Sequence, residues 1–137
     1  VMLSDLTATP VLAVSDLDRA RAFYEGTLGF RPSREAAEGV LYAAGGGEFL
    51  VYPSAYAGTN QATALSFGVP DDGFDAEVAD LRARGVRFDT FEAEGIEWAD
   101  GVASAPGMRA VWFTDPDGNR WLVQEVPSRE GRKWKLA

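Results

Sequence analysis

A short stretch of the chain combines two carboxylates with an indole ring, and this combination could recognise a positively charged ligand. Glu94, Glu97 and Trp98 lie close together within residues 91–108, whose three glycines predict a long irregular segment. Such a segment inside a compact domain is often functional. An indole offers a flat apolar face to planar or cationic groups, and carboxylates supply the opposite charge. Taken alone, each aromatic residue is better explained by core packing, so the cluster carries the prediction.

The composition excludes several kinds of reactive and metal-binding site. The 137 residues include no cysteine and no histidine. Disulfides and thiolate chemistry are therefore excluded, as is the side chain most often used as a general base or transition-metal ligand. No stretch reaches the roughly 20 apolar residues of a membrane span, and no signal peptide is visible. We therefore expect a cytoplasmic protein without membrane contact.

The charge is acidic and unevenly distributed. The formal net charge is −8, from 13 basic and 21 acidic residues. Segment 128–137 holds four of the basic residues and one acidic residue, so the rest carries nine and 20, a net charge of −11. This balance predicts no nucleic-acid partner and would attract cationic small molecules, although solubility alone would also explain it. We interpret 128–137 as a basic C-terminal tail, either a disordered end or an arm that reaches a second copy.

Hydrophobic periodicity and turn residues predict two similar halves. Each half is expected to contain a strand, a helix and three strands, and a Val-x-Asp pattern at Val14 recurs at Val69. We expect Ser15 to cap the first helix, and the second helix to bury Phe74 and the apolar residues that follow at helical spacing. One half alone could not bury both faces of its sheet, so the halves should pack side by side. The predicted strands are 9–14, 30–34, 39–43 and 48–52, then 63–69, 86–88, and two runs around 111–113 and 121–123.

Residues 115–119, with the sequence DPDGN, join the last two apolar runs. Pro116 fixes φ and Gly118 permits a positive φ, so the segment predicts a tight hairpin turn. The Asp and Asn side chains are expected to cap this turn. Turn formation alone explains all of these residues.

Three motifs combine along the chain: VSDLDRA at 14–20, FY followed by LGF between 23 and 30, and FTDPDGN at 113–119. Together they resemble the vicinal oxygen chelate superfamily, also called the glyoxalase, bleomycin-resistance and extradiol-dioxygenase superfamily. The resemblance implies an α+β fold of two paired βαβββ modules that form an eight-stranded open cup, with the helices packed outside. It implies one glyoxalase-like domain over 1–127, with modules at about 7–54 and 62–127. Many members are dimers, so we expect a homodimer.

Metal-dependent members of this superfamily place metal ligands at four strand positions. The resemblance implies which residues of this chain occupy those positions. Divalent ions need several oxygen ligands or imidazole and thiolate groups, and one hydroxyl cannot replace them. We therefore predict no metal and no cofactor. A site built from carboxylates alone, at Glu48, Glu94, Glu97 or Glu125, remains as an alternative. The four positions fall on Thr9 and Ala64 on the first strands, on Leu122 on the last strand, and on Leu50 or Tyr52 on its counterpart.

Strand alternation selects the side chains that face the cup. The first strands would present small residues there, Thr9, Val11 and Ala13 in one module and Ala64, Ser66 and Gly68 in the other. This predicts room for a ligand, unless aromatic side chains from facing strands fill the space. The predicted ligand-binding residues are Thr9, Tyr52, Tyr56, Glu94, Glu97, Trp98, Trp112 and Gln124.

Three functions compete. The first is a metal-free protein that binds a small cationic or aromatic molecule, as drug-binding members of the superfamily do, without catalytic residues. The second is a glyoxalase-like lyase or isomerase with Glu48, Glu94 or Glu97 as a base, which burial would have to make more basic. The third is a small interaction module with an empty cup.

Overall fold

The structure is a computed structural model that describes residues 2–36 and 38–127. The described residues up to 61 and the turn 116–119 form unit one, and residues 62–115 and 120–127 form unit two. The predicted basic tail, 128–137, lies outside the described residues. The single domain over 1–127 and its module bounds stay a prediction. In the described part of the chain, no helix is long and apolar enough to span a membrane.

Unit one is a mixed sheet of four strands. After a short 3-10 turn (Leu3–Asp5) come β1 (Val11–Val14), helix α1 (Leu17–Arg21) with a π-helical continuation (Ala22–Thr27), β2 (Pro32–Ala36), β3 (Gly39–Ala44) and β4 (Gly47–Pro53). The strand order is β1-β4-β3-β2, with β1 parallel to β4 and the other pairs antiparallel.

Helix α1 begins one residue later than predicted. The side chain of Asp16 caps it by accepting a hydrogen bond from the Arg19 amide at 3.1 Å. The prediction of Ser15 as the cap is therefore wrong by one position. Both residue types cap helices well, but the Ser15 hydroxyl accepts a hydrogen bond from the Arg19 guanidinium at 3.0 Å, and the Ser15 amide donates to Asp117 at 3.1 Å.

The sheet of unit one buries alternate side chains as predicted. Leu12 and Val14 are almost completely buried, whereas Val11 is 54% exposed. The buried face carries Tyr42, whose hydroxyl donates to Glu25 at 2.8 Å. Burial, and then this hydrogen bond, raise the pKa of Tyr42 above its usual value of 10.0. The phenol therefore stays neutral and hydrogen-bonded in the core, which removes the cost of burying an unpaired hydroxyl.

Unit two is a mixed sheet of five strands with one helix. Its elements are β5 (Thr63–Pro70), α2 (Phe74–Ala83), β6 (Glu97–Ala99), β7 (Val102–Ala105), β8 (Met108–Thr114) and β9 (Arg120–Val126). The strand order is β5-β9-β8-β7-β6, with β5 parallel to β9. Helix α2 buries Phe74, Val78 and Leu81, as its periodicity predicts. The predicted α+β class, with two modules and the helices outside the sheets, is confirmed, and unit two has one strand more than the βαβββ pattern.

Arg109 on β8 ties α2 to its sheet. Its guanidinium pairs with Asp75 on α2 at 2.8 Å and with Glu125 on β9 at 3.0 Å. It also lies 4.8 Å from the ring centroid of Phe74. The hydrogen bonds to Glu125 and then to Asp75 raise the pKa of Arg109 above its usual value. The planar guanidinium suits this arrangement because its donors can serve two carboxylates at once.

The segment after α2 differs from the prediction. Residues 86–88 form no strand, and Asp89 makes an isolated bridge to Trp112 instead. Residues 91–108, predicted to be irregular, contain β6 and β7. Their turn holds Asp100 at φ 57° and Gly101 at φ 82°. Two successive positive φ values are those of a type I′ hairpin turn, for which Asp-Gly is a favoured sequence.

The turn 116–119 of unit one makes contacts that the sequence did not predict. Asn119, which is 7% exposed, donates a hydrogen bond to the Ala13 carbonyl at 2.8 Å. Asp117 accepts from the Ser15 amide at 3.1 Å and pairs with Arg19 at 3.3 Å. Beyond shaping a turn, these side chains therefore hold the connection between β1 and α1.

Candidate functional site

One face of the unit two sheet carries several of the predicted ligand-binding residues. Side chains of directly paired residues point to the same face of a sheet. Trp112 pairs with Leu122, and Gln124 pairs with Ala110, which also pairs with Ala103. Ala103 in turn pairs with Trp98. The register therefore places Trp98, Trp112 and Gln124 on one face, which we call the aromatic face.

The opposite face of this sheet contributes to the core. Trp121 and Val123 alternate with the aromatic-face residues of β9, and both are buried. Phe113 pairs with Trp121 and stacks on it with a centroid distance of 5.5 Å. The aromatic face is thus the side of the sheet that remains for a ligand.

Three rings meet on the aromatic face, and we call Phe91, Trp98 and Trp112 the aromatic cluster. Phe91 lies 4.9 Å from Trp112 and 5.3 Å from Trp98, centroid to centroid, both with edge-to-face geometry. The two indoles lie 6.1 Å apart at 52°. Each of the three side chains is only partly buried. The cluster therefore keeps aromatic surface within reach of a ligand.

An acidic cavity adjoins the aromatic cluster. Its volume is about 560 Å³, which lies within the range of small-molecule sites. The carboxylates of Glu92 and Glu94 belong to exposed residues and bring negative charge to its wall. The residues that line it are Phe91, Glu92, Ala93, Glu94, Ile96 and Trp98.

Asp89 adds a further acidic group to the aromatic face. Its amide donates to the Trp112 carbonyl at 2.8 Å, and bridged partners share a face. Its Oδ2 atom is buried and has no hydrogen-bond partner among residues 2–36 and 38–127. This oxygen can therefore accept a hydrogen bond from water or from a ligand beside Trp112.

The structure separates two of the predicted carboxylates. Glu94 lines the cavity. Glu97 precedes Trp98 on β6 and pairs with Ser104, so alternation puts it on the face opposite the aromatic cluster. Glu92 and Ile96 also line the cavity, and no pattern in the sequence singled them out.

The other predicted residues, Thr9, Tyr52 and Tyr56, belong to unit one. Thr9 is exposed just before β1, and Tyr52 pairs with Ala13 on the face away from the buried core. Tyr56 is 79% exposed in the loop after β4. A cavity of about 450 Å³ in this unit is lined by Ser15 and residues of that loop, and none of the three lines it. Their role in ligand binding stays a prediction.

The model of the Glyoxalase/Bleomycin resistance protein/Dioxygenase superfamily matches residues 7–123 of the chain. The chain belongs to this superfamily. The resemblance carried by the three sequence motifs is therefore confirmed, and it covers nearly all of the described residues.

Solved structures of other proteins share the fold. A glyoxalase/bleomycin resistance protein from Catenulispora acidiphila is 27% identical, with a TM-score of 0.62 over 89% of this chain and 99% of its own. A lactoylglutathione lyase from Agrobacterium tumefaciens is 19% identical, with a TM-score of 0.63 over 88% and 92%. The fosfomycin resistance protein FosX from Mesorhizobium loti is 14% identical, with a TM-score of 0.62 over 90% and 94%. No protein with a curated description matches the chain.

The superfamily's metal positions carry few donor atoms in this member. In unit two, Ala64 and Leu122 offer none. In unit one, Thr9 offers a hydroxyl, and the last-strand position is either the alkyl chain of Leu50 or the phenol of Tyr52. In the part of the chain that the structure describes, no three acidic side chains are grouped to hold a metal ion. These residues do not fit the donor set that divalent ions require, and metal independence itself stays a prediction.

Proposed function

We propose that this superfamily member is a metal-independent binding protein for a small, planar, positively charged molecule. The observation that carries this function is the aromatic cluster beside an acidic cavity in unit two. Rings of this kind attract cations through their electron-rich faces, and neighbouring carboxylates add charge complementarity. Neither contribution needs a metal ion or a general base.

The structure already contains a cation on the aromatic cluster. The guanidinium carbon of Arg120 lies 5.8 Å from the centroid of the Phe91 ring. Arg120 does not line the cavity, whose charged residues are Glu92 and Glu94. The formal net charge of −8 acts in the same direction at longer range. The charge at the cavity therefore favours a cationic ligand over an anionic one.

The fold alone does not choose between binding and catalysis, because one fold hosts many functions. The related structures include a lyase and a fosfomycin resistance protein, both under 25% identical to this chain. A lyase or isomerase that used one of the three predicted bases would need that carboxylate to be shielded from water. Glu48, Glu94 and Glu97 are all exposed, and Glu48 accepts a hydrogen bond from Ser33 at 2.6 Å. We therefore favour binding.

Proflavine, a planar acridine cation, is a suitable probe, and replacement of Glu94 tests the role of charge. Glu94→Gln keeps the shape of the side chain but removes a negative charge from the cavity wall. We expect it to weaken proflavine binding about threefold, as for other exposed charge pairs. Isothermal titration calorimetry measures this change, and added salt should reduce the difference.

Glu97→Gln is the matched control, because Glu97 lies three residues away on the opposite face. The Glu97→Gln variant should bind proflavine with the same affinity as the unmodified protein. Acridine, which is neutral in mildly alkaline buffer, should bind more weakly than proflavine. If neither proflavine nor any other aromatic cation in a panel binds or raises the melting temperature, the proposed function is wrong.

A further inference from the structure

We propose that Arg82 is a positioning residue for the cavity of unit two, because it holds the β6–β7 turn against the end of α2 and so fixes Trp98. This role rests on the proposed function, because Trp98 lines the cavity proposed to bind the ligand. Arg82 itself lines no part of that cavity. Its effect on a ligand would therefore pass through the hairpin.

Arg82 makes two contacts with the turn of this hairpin and one with the segment between α2 and the hairpin. Its Nη2 atom donates to the Asp100 carbonyl oxygen in the turn. Its Nη1 atom lies 4.0 Å from the Asp100 carboxylate. The guanidinium carbon also lies 5.3 Å from the ring centroid of Phe88, in the segment that follows α2. A planar guanidinium can serve a carbonyl, a carboxylate and a ring together, which a lysine ammonium cannot.

The turn that Arg82 holds has an unusual backbone. Asp100 is the one residue other than glycine with a positive φ in the described part of the chain. Gly101 lies beside Phe88, because a Cβ added at this position would be in ordinary van der Waals contact with Phe88, 3.4 Å from its Cβ. The turn is therefore packed against the same ring that Arg82 covers, so the guanidinium and Phe88 together fix its position.

Strand β6 has few contacts of its own and depends on the contacts that fix its turn. It has three residues, lies at the edge of the sheet and, among residues 2–36 and 38–127, pairs only with β7. Short edge elements with few ladder hydrogen bonds open easily by local unfolding. Trp98 is the central residue of β6, and its ring must stay 5.3 Å from Phe91 to shape the cavity wall. Loss of the Arg82 contacts should therefore release Trp98 before it disturbs the rest of the sheet.

The test compares Arg82→Met with Arg84→Met. Arg84 lies at the same helix end, has the same 41% side-chain exposure and pairs with Asp80 on the same surface. We expect Arg82→Met to speed amide exchange in residues 97–105 about tenfold, with exchange in β8 and β9 unchanged. The far-ultraviolet circular dichroism of the Trp98–Trp112 pair should weaken, and proflavine should bind about tenfold more weakly.

Arg84→Met should show none of these changes, and Arg82→Lys should restore part of each. Equal exchange, dichroism and affinity in Arg82→Met and Arg84→Met would overturn the role of Arg82. If proflavine fails to bind the unmodified protein, the proposed function fails instead. Exchange and dichroism then still decide whether Arg82 holds the hairpin, because neither measurement needs a ligand.

Discussion

Replacement of Trp98 by alanine is expected to lower the affinity for proflavine about a hundredfold. Trp98 contributes a ring to the aromatic cluster and a wall to the cavity. Truncation of an aromatic residue at a binding hot spot costs about 2–4 kcal/mol, and a hundredfold loss corresponds to about 2.8 kcal/mol, since about 1.4 kcal/mol is a factor of ten. The ring is partly exposed on an edge strand, so its loss should leave the fold intact.

Trp98→Phe separates the loss of an aromatic face from the loss of volume. A phenyl ring keeps part of the surface beside Phe91 and should give an intermediate affinity. Calorimetric titration of the three proteins should rank them in the order tryptophan, phenylalanine, alanine. An unchanged affinity in Trp98→Ala would place the ligand elsewhere and would remove the main support for the proposed site.

The second large effect is expected on stability, from Asn119→Ala. Asn119 is 7% exposed and donates to the Ala13 carbonyl at 2.8 Å. Removing the donor leaves the Ala13 carbonyl without this partner in a partly buried setting, which costs about 1–3 kcal/mol. We expect urea denaturation to show a loss of about 2 kcal/mol in the free energy of unfolding, with an unchanged slope.

Thr59→Ala is the matched control for this stability effect. The Thr59 hydroxyl also donates to a backbone carbonyl, that of Tyr56, at 2.8 Å, but the bond is exposed to solvent. Water can replace such a bond, so the loss should stay below about 0.5 kcal/mol. A similar loss in both variants would show that the turn 116–119 does not hold the β1–α1 connection in the way described.

The parts of the fold that sequence predicts well are those where one face of an element is buried. Along β1, Leu12 and Val14 are buried whereas Val11 is exposed, so alternation alone assigns the faces. The same pattern assigns Trp121 and Leu122 on β9. Each of these strands has a buried core face, which constrains the sequence strongly.

The β6–β7 hairpin escaped prediction although its turn sequence was visible. Asp100-Gly101 is a strong signal for a two-residue hairpin turn. The flanking strands have three and four residues, rich in alanine, which show no clear alternation. A segment without strands would allow Glu97 and Trp98 to contact the same ligand. The observed strand β6 places them on opposite faces of the sheet.

The candidate site was predicted from residues that are neighbours in sequence and from strand alternation, which proposed Trp112 and Gln124. Glu94 and Trp98 lie four positions apart, and both line the cavity. Trp112 joins them only through the sheet register, and Arg82 acts only through the turn at Asp100. The contact of Arg82 with this turn depends on tertiary structure, so no local pattern in the sequence could reveal it.

The most direct test of the central claim is a calorimetric titration of proflavine before and after exhaustive treatment with a metal chelator. Metal content is measured at both stages. We predict no stoichiometric divalent metal and the same affinity in both titrations, because the aromatic cluster and the carboxylate of Glu94 need no metal. Loss of binding after chelation, with recovery when one divalent ion is restored, would contradict metal-independent binding.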